Sequence, residues 1–333
     1  DGDNAVAVPE HWEAEGIPLP KIRVIEAKGK RGALGIGDRI LARTEERGSG
    51  HVAHIMKKLA KGSAAQPEFT DWMDGYRKFL GDSPDAIYHT AELSPDYRYE
   101  ISGNGGEAQY LGFMIYGRQL NGWNRAAANI SNEAMSFDAE GNFTILLASN
   151  PPENAGENWL KLDDDAHMIM VRQYYHHREG KLEATFNIRN LDGPQYRPAN
   201  DVQLAMSLRK ATSFFNDTLS GAIALGEMLS AAPNRIDPPK SYSPEFGGVF
   251  YPTFDNEYFG SWFYLEDDEA LVIEGEVPDV DYWSVSLQNR WMQSFDDRHR
   301  QVGLNNHQIT TENGRYRVVV SHQKPSSGNW IDA

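Results

Sequence analysis

Hydrophobic and polar residues alternate in short runs along most of this chain, a pattern typical of half-buried β-strands. Such runs occupy residues 97–101, 110–116 and 143–147. The first two runs are separated by the glycine-rich turn 103–106, which predicts a β-hairpin. The pattern predicts a mainly β protein from about residue 66 to residue 333.

Two segments have helical spacing instead. Apolar residues recur every three or four positions in residues 69–80, and Gly81 follows, which predicts a short capping helix. A longer apolar stripe runs through residues 201–232 and is interrupted by Gly221 and Gly226, so it predicts one long helix or two short ones. We expect this stripe to pack against the β units that it connects.

The β pattern is duplicated, since residues 110–162 and 282–333 follow one plan. Each copy has an aromatic-rich strand, a turn, an apolar strand, a proline loop and an Asn-Trp pair. The distance from strand start to Asn-Trp is 48 residues in the first copy and 47 in the second. The plan predicts two related β units in which Asn binds backbone groups and Trp closes the end of a sandwich. On this interpretation the Asn-Trp pair is structural and does not bind a ligand.

Charge divides the chain near residue 62. The whole chain of 333 residues has a net charge of -16, but residues 1–62 carry eleven basic and nine acidic residues and the remainder carries 21 and 39. The surplus of positive charge lies in residues 21–61, and the acidic remainder makes nucleic acid an unfavourable partner for the main body. Length and pattern together predict a basic β-meander over 1–62, a first β unit over 66–200, a helical connector over 201–240 and a second β unit over 241–333.

Composition excludes several classes of function. Cysteine is absent, so disulfides, thiolate nucleophiles and sulfur-ligated zinc sites are excluded. No run approaches eighteen apolar residues, so no membrane-spanning helix is predicted. Cytoplasmic localisation is the default expectation, and a periplasmic location stays open because residue 1 is Asp. The oligomeric state stays open as well.

The densest group of chemically active side chains follows a strand at residues 289–300. Asp296 or Asp297 could orient His299 as a general base, and Arg298 and Arg290 could hold a carboxylate or sulfate. The catalytic candidates are therefore Asp296, Arg298 and His299. The ligand-binding candidates of this region are Arg290, Trp291, Asn305 and His307. A surface loop held by salt bridges is the alternative interpretation.

A second group, residues 172–177, contains the further ligand-binding candidates Arg172 and Tyr174. In a strand, His176 and His177 would point to opposite faces, which disfavours a shared metal ion. Because no paired-histidine spacing, phosphate loop, dinucleotide motif or nucleophile elbow occurs, we predict no metal and no cofactor.

The first sixty residues resemble the RNA-binding barrel region of bacterial ribonuclease R. The similarity rests on Pro9-x-x-Trp12, residues 16–22, residues 34–43 and Lys57-Lys58-Leu59. It implies short strands near residues 22–24, 40–42 and 52–56, as in part of an oligonucleotide-binding barrel. The aspartate-rich nuclease motif of that family is absent downstream, so nuclease activity is not expected. A gene fusion and a chance likeness among small basic β-meanders are the two explanations.

Residues 82–333 resemble the bacterial domain-of-unknown-function family 1214, often found with its companion family 1254. The motifs that carry the resemblance are Ser83-Pro84-Asp85-Ala86-x-Tyr88, Asn158-Trp159-Leu160, Arg172-Gln173-Tyr174, Tyr282-Trp283-Ser284, Ser294-Phe295-Asp296-x-Arg298, Leu304-Asn305 and Asn329-Trp330-Ile331-Asp332. The resemblance implies two linked β-sandwiches, one immunoglobulin-like and one jelly-roll-like, and supplies no reaction. Members continue into a Gly-His-rich segment, so we expect the second sandwich to be truncated at Ala333.

Three functions are consistent with these features. The first is a cofactor-free lyase or hydrolase that acts on a saccharide or another polar organic molecule in a groove beside residues 290–307. The second is a non-catalytic module that binds a small molecule or carbohydrate. The third is RNA binding through residues 20–61. Whether the protein is an enzyme therefore stays open at this point.

Overall fold

The computed structural model describes residues 6–7, 21–25, 39–47, 50–59, 63–73, 76–119, 123–153, 158–177, 179–193, 201–236 and 251–333. The chain forms two compact units, residues 1–61 and residues 62–333. Each is described by itself.

The first unit contains one sheet with the strand order β1-β2-β4-β3. Its strands are β1 (Val6–Ala7), β2 (Ile22–Ile25), β3 (Arg39–Arg47) and β4 (Gly50–Leu59). The three strands predicted here are confirmed, but the predicted meander is wrong in its pairing. β4 is antiparallel to β3 and parallel to β2, which brings Val24 opposite Ala53. Both residues are buried in a small apolar cluster, and that burial explains why β2 lies beside β4.

The second unit begins with a β-sandwich, the first sandwich. Its strands are β5 (Thr70–Met73), β6 (Ala86–Glu92), β7 (Tyr99–Asn104), β8 (Tyr110–Arg118), β9 (Asn124–Ser131), β10 (Asn142–Ala148), β11 (Asn158–Lys161), β12 (Ala166–Tyr174) and β13 (Thr185–Asn190). They form a four-stranded sheet with the order β11-β10-β7-β13 and a five-stranded sheet with the order β5-β6-β12-β8-β9. Phe113 crosses between the sheets and meets the ring of Phe143 at 5.4 Å and that of Phe186 at 5.8 Å.

The five-stranded sheet is buried on both faces. Phe113 and Ile115 of β8 enter the sandwich core, whereas Met114 and Tyr116 enter a second cluster on the outer face. Side chains alternate along a strand, so a continuous apolar run supplies both faces. The outer face is therefore a second packing surface.

The predicted hairpin of residues 97–116 is wrong. Both strands exist, but β7 pairs with β10 and β13, whereas β8 pairs with β9 and β12. The connection crosses from one sheet to the other, and Gly106 within it has a positive φ of 58° that suits glycine. Ile101 and Phe113 consequently face each other across the core, where both are fully buried.

The predicted capping helix over residues 69–80 is wrong as well. Residues 70–73 form β5, an edge strand that pairs Thr70 with Thr90 of β6. Phe69 packs on the sandwich core, and Met73 packs on the outer face. The aromatic residues favour a strand as readily as a helix, and the exposed edge of β6 supplies the hydrogen bonds that decide the outcome.

One long helix, α1 (Asp201–Ser230), follows the first sandwich. This confirms the single-helix alternative, but the expected packing of its apolar stripe is wrong for the N-terminal half. Val202 is 67% exposed, Leu208 is 62% exposed and Phe215 is 65% exposed. Burial is confined to the C-terminal half, where Ala222 and Leu225 lie in the interior. In the N-terminal half, Phe214 still contacts the rings of Trp72 at 5.7 Å and Phe79 at 5.5 Å.

The final part of the chain, residues 251–333, is called the second lobe. Its strands are β14 (Ala270–Glu276), β15 (Ser284–Ser286), β16 (Gly303–Asn305), β17 (Thr311–Glu312), β18 (Arg315–Ser321) and β19 (Asn329–Asp332). β14, β17 and β19 pair with β18, and β15 pairs with β16. Val318, Val320 and Ile331 are fully buried and pack with Leu304 in one apolar cluster. The prediction of a mainly β protein with sandwich architecture is confirmed.

The repeated Asn-Trp pair occupies the same structural position in both parts. β11 lies parallel to β10 with Asn158 opposite Ile145, and β19 lies parallel to β18 with Asn329 opposite Val318. Trp159 lies opposite Leu146, and its indole N–H donates to the carbonyl of Ala148, two residues further along β10. In the same way, Trp330 lies opposite Val319 and donates to the carbonyl of Ser321 of β18. The two copies therefore share register as well as sequence order.

The two Asn side chains also make equivalent hydrogen bonds. Asn158 accepts a bond from the N–H of Ser136 at 2.8 Å and donates to the carbonyls of Ser136 at 2.9 Å and Thr144 at 3.0 Å. The set of bonds made by Asn329 has the same form, with Thr310 and Arg317 as its partners. Because all the partners are backbone groups, the predicted structural role of Asn is confirmed.

Candidate functional site

A group of tyrosines surrounds Arg172 on the outer face of the five-stranded sheet. Strand alternation places Arg172 and Tyr174 of β12 on this face, beside Tyr88 of β6 and Tyr116 of β8. Tyr251 of the second lobe covers the group. Arg172 is only 5% exposed, so the fold buries a cation beneath aromatic rings.

The guanidinium of Arg172 is held by neutral groups. Its Nη2 donates to the hydroxyl of Tyr116 at 2.8 Å and to the carbonyl of Tyr251 at 2.9 Å. The hydroxyl of Tyr116 in turn donates to the carbonyl of Tyr251 at 2.8 Å. In the part of the chain that the structure describes, no carboxylate forms an ion pair with Arg172. A buried charge without an opposite charge beside it is costly, which distinguishes this arginine from an ordinary structural one.

Tyr251 is held in an unfavourable backbone conformation. Its φ is 52°, a left-handed value that bulky residues seldom adopt. This conformation costs roughly 1–2 kcal/mol, yet the same residue presents its carbonyl to Arg172. Strain of this kind clusters at functional sites, so the observation supports a functional interpretation of the arginine.

A small cavity lies beside the guanidinium. Its volume is about 30 Å³, and its lining includes Arg172, Tyr88 and Tyr258 as well as the apolar residues Met73 and Phe79. A space of about 10–15 Å³ suffices for one water molecule. The cavity therefore holds one or two water-sized groups without rearrangement.

The tyrosine hydroxyls stay protonated in this environment. Burial raises the pKa of Tyr116 to about 12, although the nearby charge of Arg172 opposes the shift. Burial also raises the pKa of Tyr88 and that of Tyr174. At physiological pH the hydroxyls are neutral hydrogen-bond donors, and none of them supplies the negative charge that Arg172 lacks.

A row of aromatic rings in contact continues from the tyrosines to the second lobe. The ring of Tyr174 lies 4.9 Å from that of Tyr282, which stacks on His176 at 6.0 Å. His176 stacks in turn on His307 at 3.6 Å. Burial lowers the pKa of His176, and the nearby His307 lowers it further. The structure thus brings the predicted residues Arg172, Tyr174 and His307 into one connected region.

Asn305 lies at the base of this row and is completely buried. Its Nδ2 donates to the carbonyl of His176 at 2.8 Å and to a carboxylate oxygen of Asp85 at 3.2 Å. Its Oδ1 accepts a hydrogen bond from the N–H of His307. The hydroxyl of Tyr282 donates to the same oxygen of Asp85 at 2.7 Å. Asn305, predicted as a ligand-binding residue, thus uses its amide to join the second lobe to the first sandwich.

The other predicted residues lie in a different place. Asp296 binds Arg298 through two hydrogen bonds of 2.7 and 2.6 Å, and this pairing lowers the pKa of Asp296 to about 2. Arg298 also lies 4.3 Å from the ring centre of Tyr76. His299 meets Asp296 through a backbone N–H, and the described contacts include no side-chain hydrogen bond between them. Asp296 therefore orients Arg298 instead of His299, as in the salt-bridge alternative.

Arg290 and Trp291 contact each other, since the guanidinium of Arg290 lies 4.9 Å from the indole ring. Trp291 is 37% exposed. None of the described contacts connects this pair with Arg172. Nor do three or more His, Asp or Glu side chains converge as a metal site within the described ranges.

A buried polar network near this loop was not found from the sequence. Lys78 donates to the hydroxyl of Ser294 at 2.8 Å, and that hydroxyl donates to Asp82 at 2.5 Å. Lys78 also lies 3.7 Å from a carboxylate oxygen of Asp297. Ser294 and Asp82 are both buried. Lys78 and Asp82 are four residues apart in the chain and lie 3.6 Å from each other. Ser294 and Asp297 are distant from both in the chain, so the sequence could not indicate that the network joins the second lobe to the first sandwich.

These features define a mainly β protein whose first sandwich and second lobe enclose a buried arginine. A family model described as "Protein of unknown function (DUF1214)" matches residues 88–178 and 249–333. The chain belongs to this family, which confirms the resemblance of its main body. The companion family and the likeness of residues 1–61 to ribonuclease R stay predictions. The first matched region contributes Arg172, and the second contributes Tyr251.

Two solved structures match more than three quarters of this chain, and their names describe no function. An uncharacterised protein from Burkholderia cenocepacia is 26% identical, with a TM-score of 0.75, and the match covers 81% of this chain and 75% of that one. A protein from Vibrio parahaemolyticus is 10% identical, with a TM-score of 0.42, and the match covers 76% of this chain and 82% of that one. No curated protein matches the chain. No described helix is long and apolar enough to cross a membrane.

Proposed function

We propose that this protein binds a small organic anion at Arg172 and that this binding is its molecular function. The observation that carries the proposal is the burial of Arg172 with only neutral partners among the described residues. Transfer of a cation from water into a protein interior costs several kcal/mol unless an opposite charge or a full set of hydrogen bonds compensates it. An anion in the adjoining cavity would supply the opposite charge.

The hydrogen-bonding capacity of Arg172 supports the same proposal. A guanidinium has five N–H donors. Nη2 uses its two donors on Tyr116 and Tyr251, and no hydrogen bond among the described residues uses the three on Nε and Nη1. Charge-assisted hydrogen bonds to a carboxylate are about twice as strong as neutral ones. The protein therefore holds the guanidinium in position and leaves most of its donors to the ligand.

Catalysis by Asp296, Arg298 and His299 has weaker support. The carboxylate of Asp296 is committed to Arg298, and both side chains are substantially exposed. An exposed pair of this kind contributes little and marks no enclosed reaction space. A saccharide groove in the second lobe and RNA binding through residues 20–61 stay predictions with no contact in the described residues that favours them.

Thermal unfolding in the presence of anions tests the proposal. We expect sodium acetate, at constant ionic strength, to raise the melting temperature of the wild-type protein and to leave that of Arg172→Met unchanged. Saturation at one hundred times the dissociation constant corresponds to about 2.7 kcal/mol of stabilisation. Arg189→Met is the matched control, because Arg189 is 65% exposed and pairs with Glu100; it should respond like the wild type.

Equal responses of all three proteins would contradict the proposal, since the effect of acetate would then be a general salt effect. Arg172→Lys provides a folded alternative that keeps the charge. Lysine lacks the planar arrangement of donors, so we expect weaker binding of acetate by this variant than by the wild type.

A further inference from the structure

We infer that the exposed half of α1 pairs with the same half of a second copy of this chain, and that the two helices run in opposite directions. The contact surface is an apolar stripe formed by Leu204, Leu208, Ala211 and Phe215, which is called the α1 stripe. This inference is independent of the Arg172 site. It follows from the exposure of the stripe, the spacing of its residues and the charges of the helix around it.

The α1 stripe is open to solvent in the single chain. Leu204 is 57% exposed, Leu208 is 62% exposed, Phe215 is 65% exposed, and Ala211 between them is exposed as well. Phe214, beside the stripe, packs on two aromatic rings of its own chain and is only 39% exposed. Large apolar side chains that cluster on a surface and are left in water mark an interaction site.

The spacing of the stripe suits a helix of the same sequence that runs in the opposite direction. Its four residues are separated by four, three and four positions, which is the spacing of a seam between two helices. This order is the same from either end. A two-fold axis midway between residues 209 and 210 therefore places Leu204 opposite Phe215 of the second copy and Leu208 opposite Ala211. Each contact then occurs twice, as a two-fold symmetric interface requires.

The charges of the helix favour a second copy over a strongly charged partner. Between residues 201 and 219, Asp201 and Asp217 balance Arg209 and Lys210. Each residue of a helix advances by about 100°, so Arg209 and Lys210 lie on the side of α1 away from the stripe. Two copies can meet there without like charges in the seam. The rest of the main body is strongly acidic and would repel a second copy.

The area of the stripe suits a weak dimer. Each of its three large side chains can bury roughly 100 Å². With Ala205, Thr212 and Leu219 at its edge, the stripe buries roughly 500 Å² on each copy, and the total of about 1,000 Å² is at the lower end for a specific interface. We expect a dissociation constant of roughly 10–100 µM. At lower concentrations the monomer predominates, and Leu208 stays exposed.

Sedimentation velocity of the complete protein tests the inference. The wild type should change from monomer to dimer between about 2 and about 500 µM. Leu208→Glu places two carboxylates in the seam and should raise the dissociation constant at least about tenfold. Met206→Glu is the matched control, because Met206 is 55% exposed and lies on the opposite side of α1; it should dimerise like the wild type. A wild type that stays monomeric throughout, or a Leu208→Glu dimer as tight as the wild-type dimer, would overturn the inference.

Cysteine cross-linking tests the orientation, since the chain has no cysteine of its own. In the antiparallel pair the two copies of residue 204 lie about 16 Å apart, whereas residue 204 of one copy lies beside residue 215 of the other. A short bis-maleimide should therefore join Leu204→Cys to Phe215→Cys in an equimolar mixture and should join neither variant to itself. Cross-linking of each variant with itself, or no cross-link in the mixture at concentrations where the wild type is dimeric, would overturn the antiparallel pairing.

Discussion

Replacement of Asn158 by alanine removes three hydrogen bonds at the point where β11 joins the first sandwich. The bonds involve the N–H and carbonyl of Ser136 and the carbonyl of Thr144, with lengths from 2.8 to 3.0 Å. Asn158 is 8% exposed, so water has little access to the groups that lose their partner. At about 1 kcal/mol for each bond, the substitution should reduce the free energy of unfolding by about 3 kcal/mol.

The second copy of the motif supplies an internal comparison. Asn329 makes the same three bonds to Thr310 and Arg317, but in a more exposed environment. Water can replace the lost partner there, so Asn329→Ala should cost only about 1 kcal/mol. The predicted ratio between the two variants depends on solvent access alone, because the geometry of the bonds is the same.

Urea unfolding monitored by circular dichroism measures both values. Asn187→Ala is the control, because Asn187 lies on the exposed side of β13 and should change stability by less than about 0.5 kcal/mol. Asn158→Asp tests the two hydrogen bonds donated by Nδ2. Aspartate keeps the shape of the side chain but places an oxygen, in place of Nδ2, against the carbonyls of Ser136 and Thr144. The reasoning would be refuted if Asn158→Asp were as stable as the wild type, or if Asn329→Ala were the more damaging alanine variant.

Two further predictions concern titration and helix packing. Burial lowers the pKa of His167 from 6.5 to about 4. As pH decreases, the unfolded chain therefore takes up a proton at a higher pH than the folded protein does. The free energy of unfolding should fall by up to about 3 kcal/mol between pH 6.5 and pH 4. His167→Gln keeps a donor for Asn124 and should remove this part of the pH dependence; an unchanged difference between pH 7 and pH 4 in urea unfolding would contradict the assignment. In α1, Leu225→Ala should cost about 2–4 kcal/mol because Leu225 is 5% exposed, whereas Leu208→Ala should be nearly neutral because Leu208 is 62% exposed. Similar losses for both leucine variants in the same assay would show that the N-terminal half of the helix is buried in solution.

The local patterns of the chain predicted most strands but not their partners. Residues 97–101 and 110–116 do form strands, because alternation reports which side chains face a core. The assumption that neighbours in sequence pair with each other led to the wrong hairpin. Burial of Ile101 and Phe113 from two different sheets decided the actual arrangement.

Helical spacing was a weaker guide. Residues 69–80 have the spacing of a helix, yet residues 70–73 add to the edge of β6 and leave apolar groups on two packing surfaces. The reverse happened at α1, which is helical as predicted but exposes Val202 and Leu208. Spacing describes the faces of a segment, and only the neighbours in three dimensions determine whether a face is covered.

The candidate site also combines residues that the sequence indicated with contacts that only the fold produces. The sequence placed Arg172 and Tyr174 among the ligand-binding candidates as members of one cluster, residues 172–177. Tyr116 and Tyr251, which accept hydrogen bonds from the guanidinium of Arg172, lie far from Arg172 in the chain. The catalytic candidates in the loop at residues 290–300 are charges adjacent in sequence, and that adjacency allows Asp296 and Arg298 to neutralise each other.

The sequence by itself determined the β character of the main body, the duplicated strand plan and the structural use of Asn158 and Asn329. These depend on local alternation, turn residues and a side chain that bonds to nearby backbone, which are properties of short segments. Only the tertiary structure decided which sheet each strand joins, which half of α1 is covered and that Arg172 is buried without a counter-charge. Those outcomes depend on solvent exclusion by residues distant in the chain, and burial of a charge exists only after the chain has folded around it.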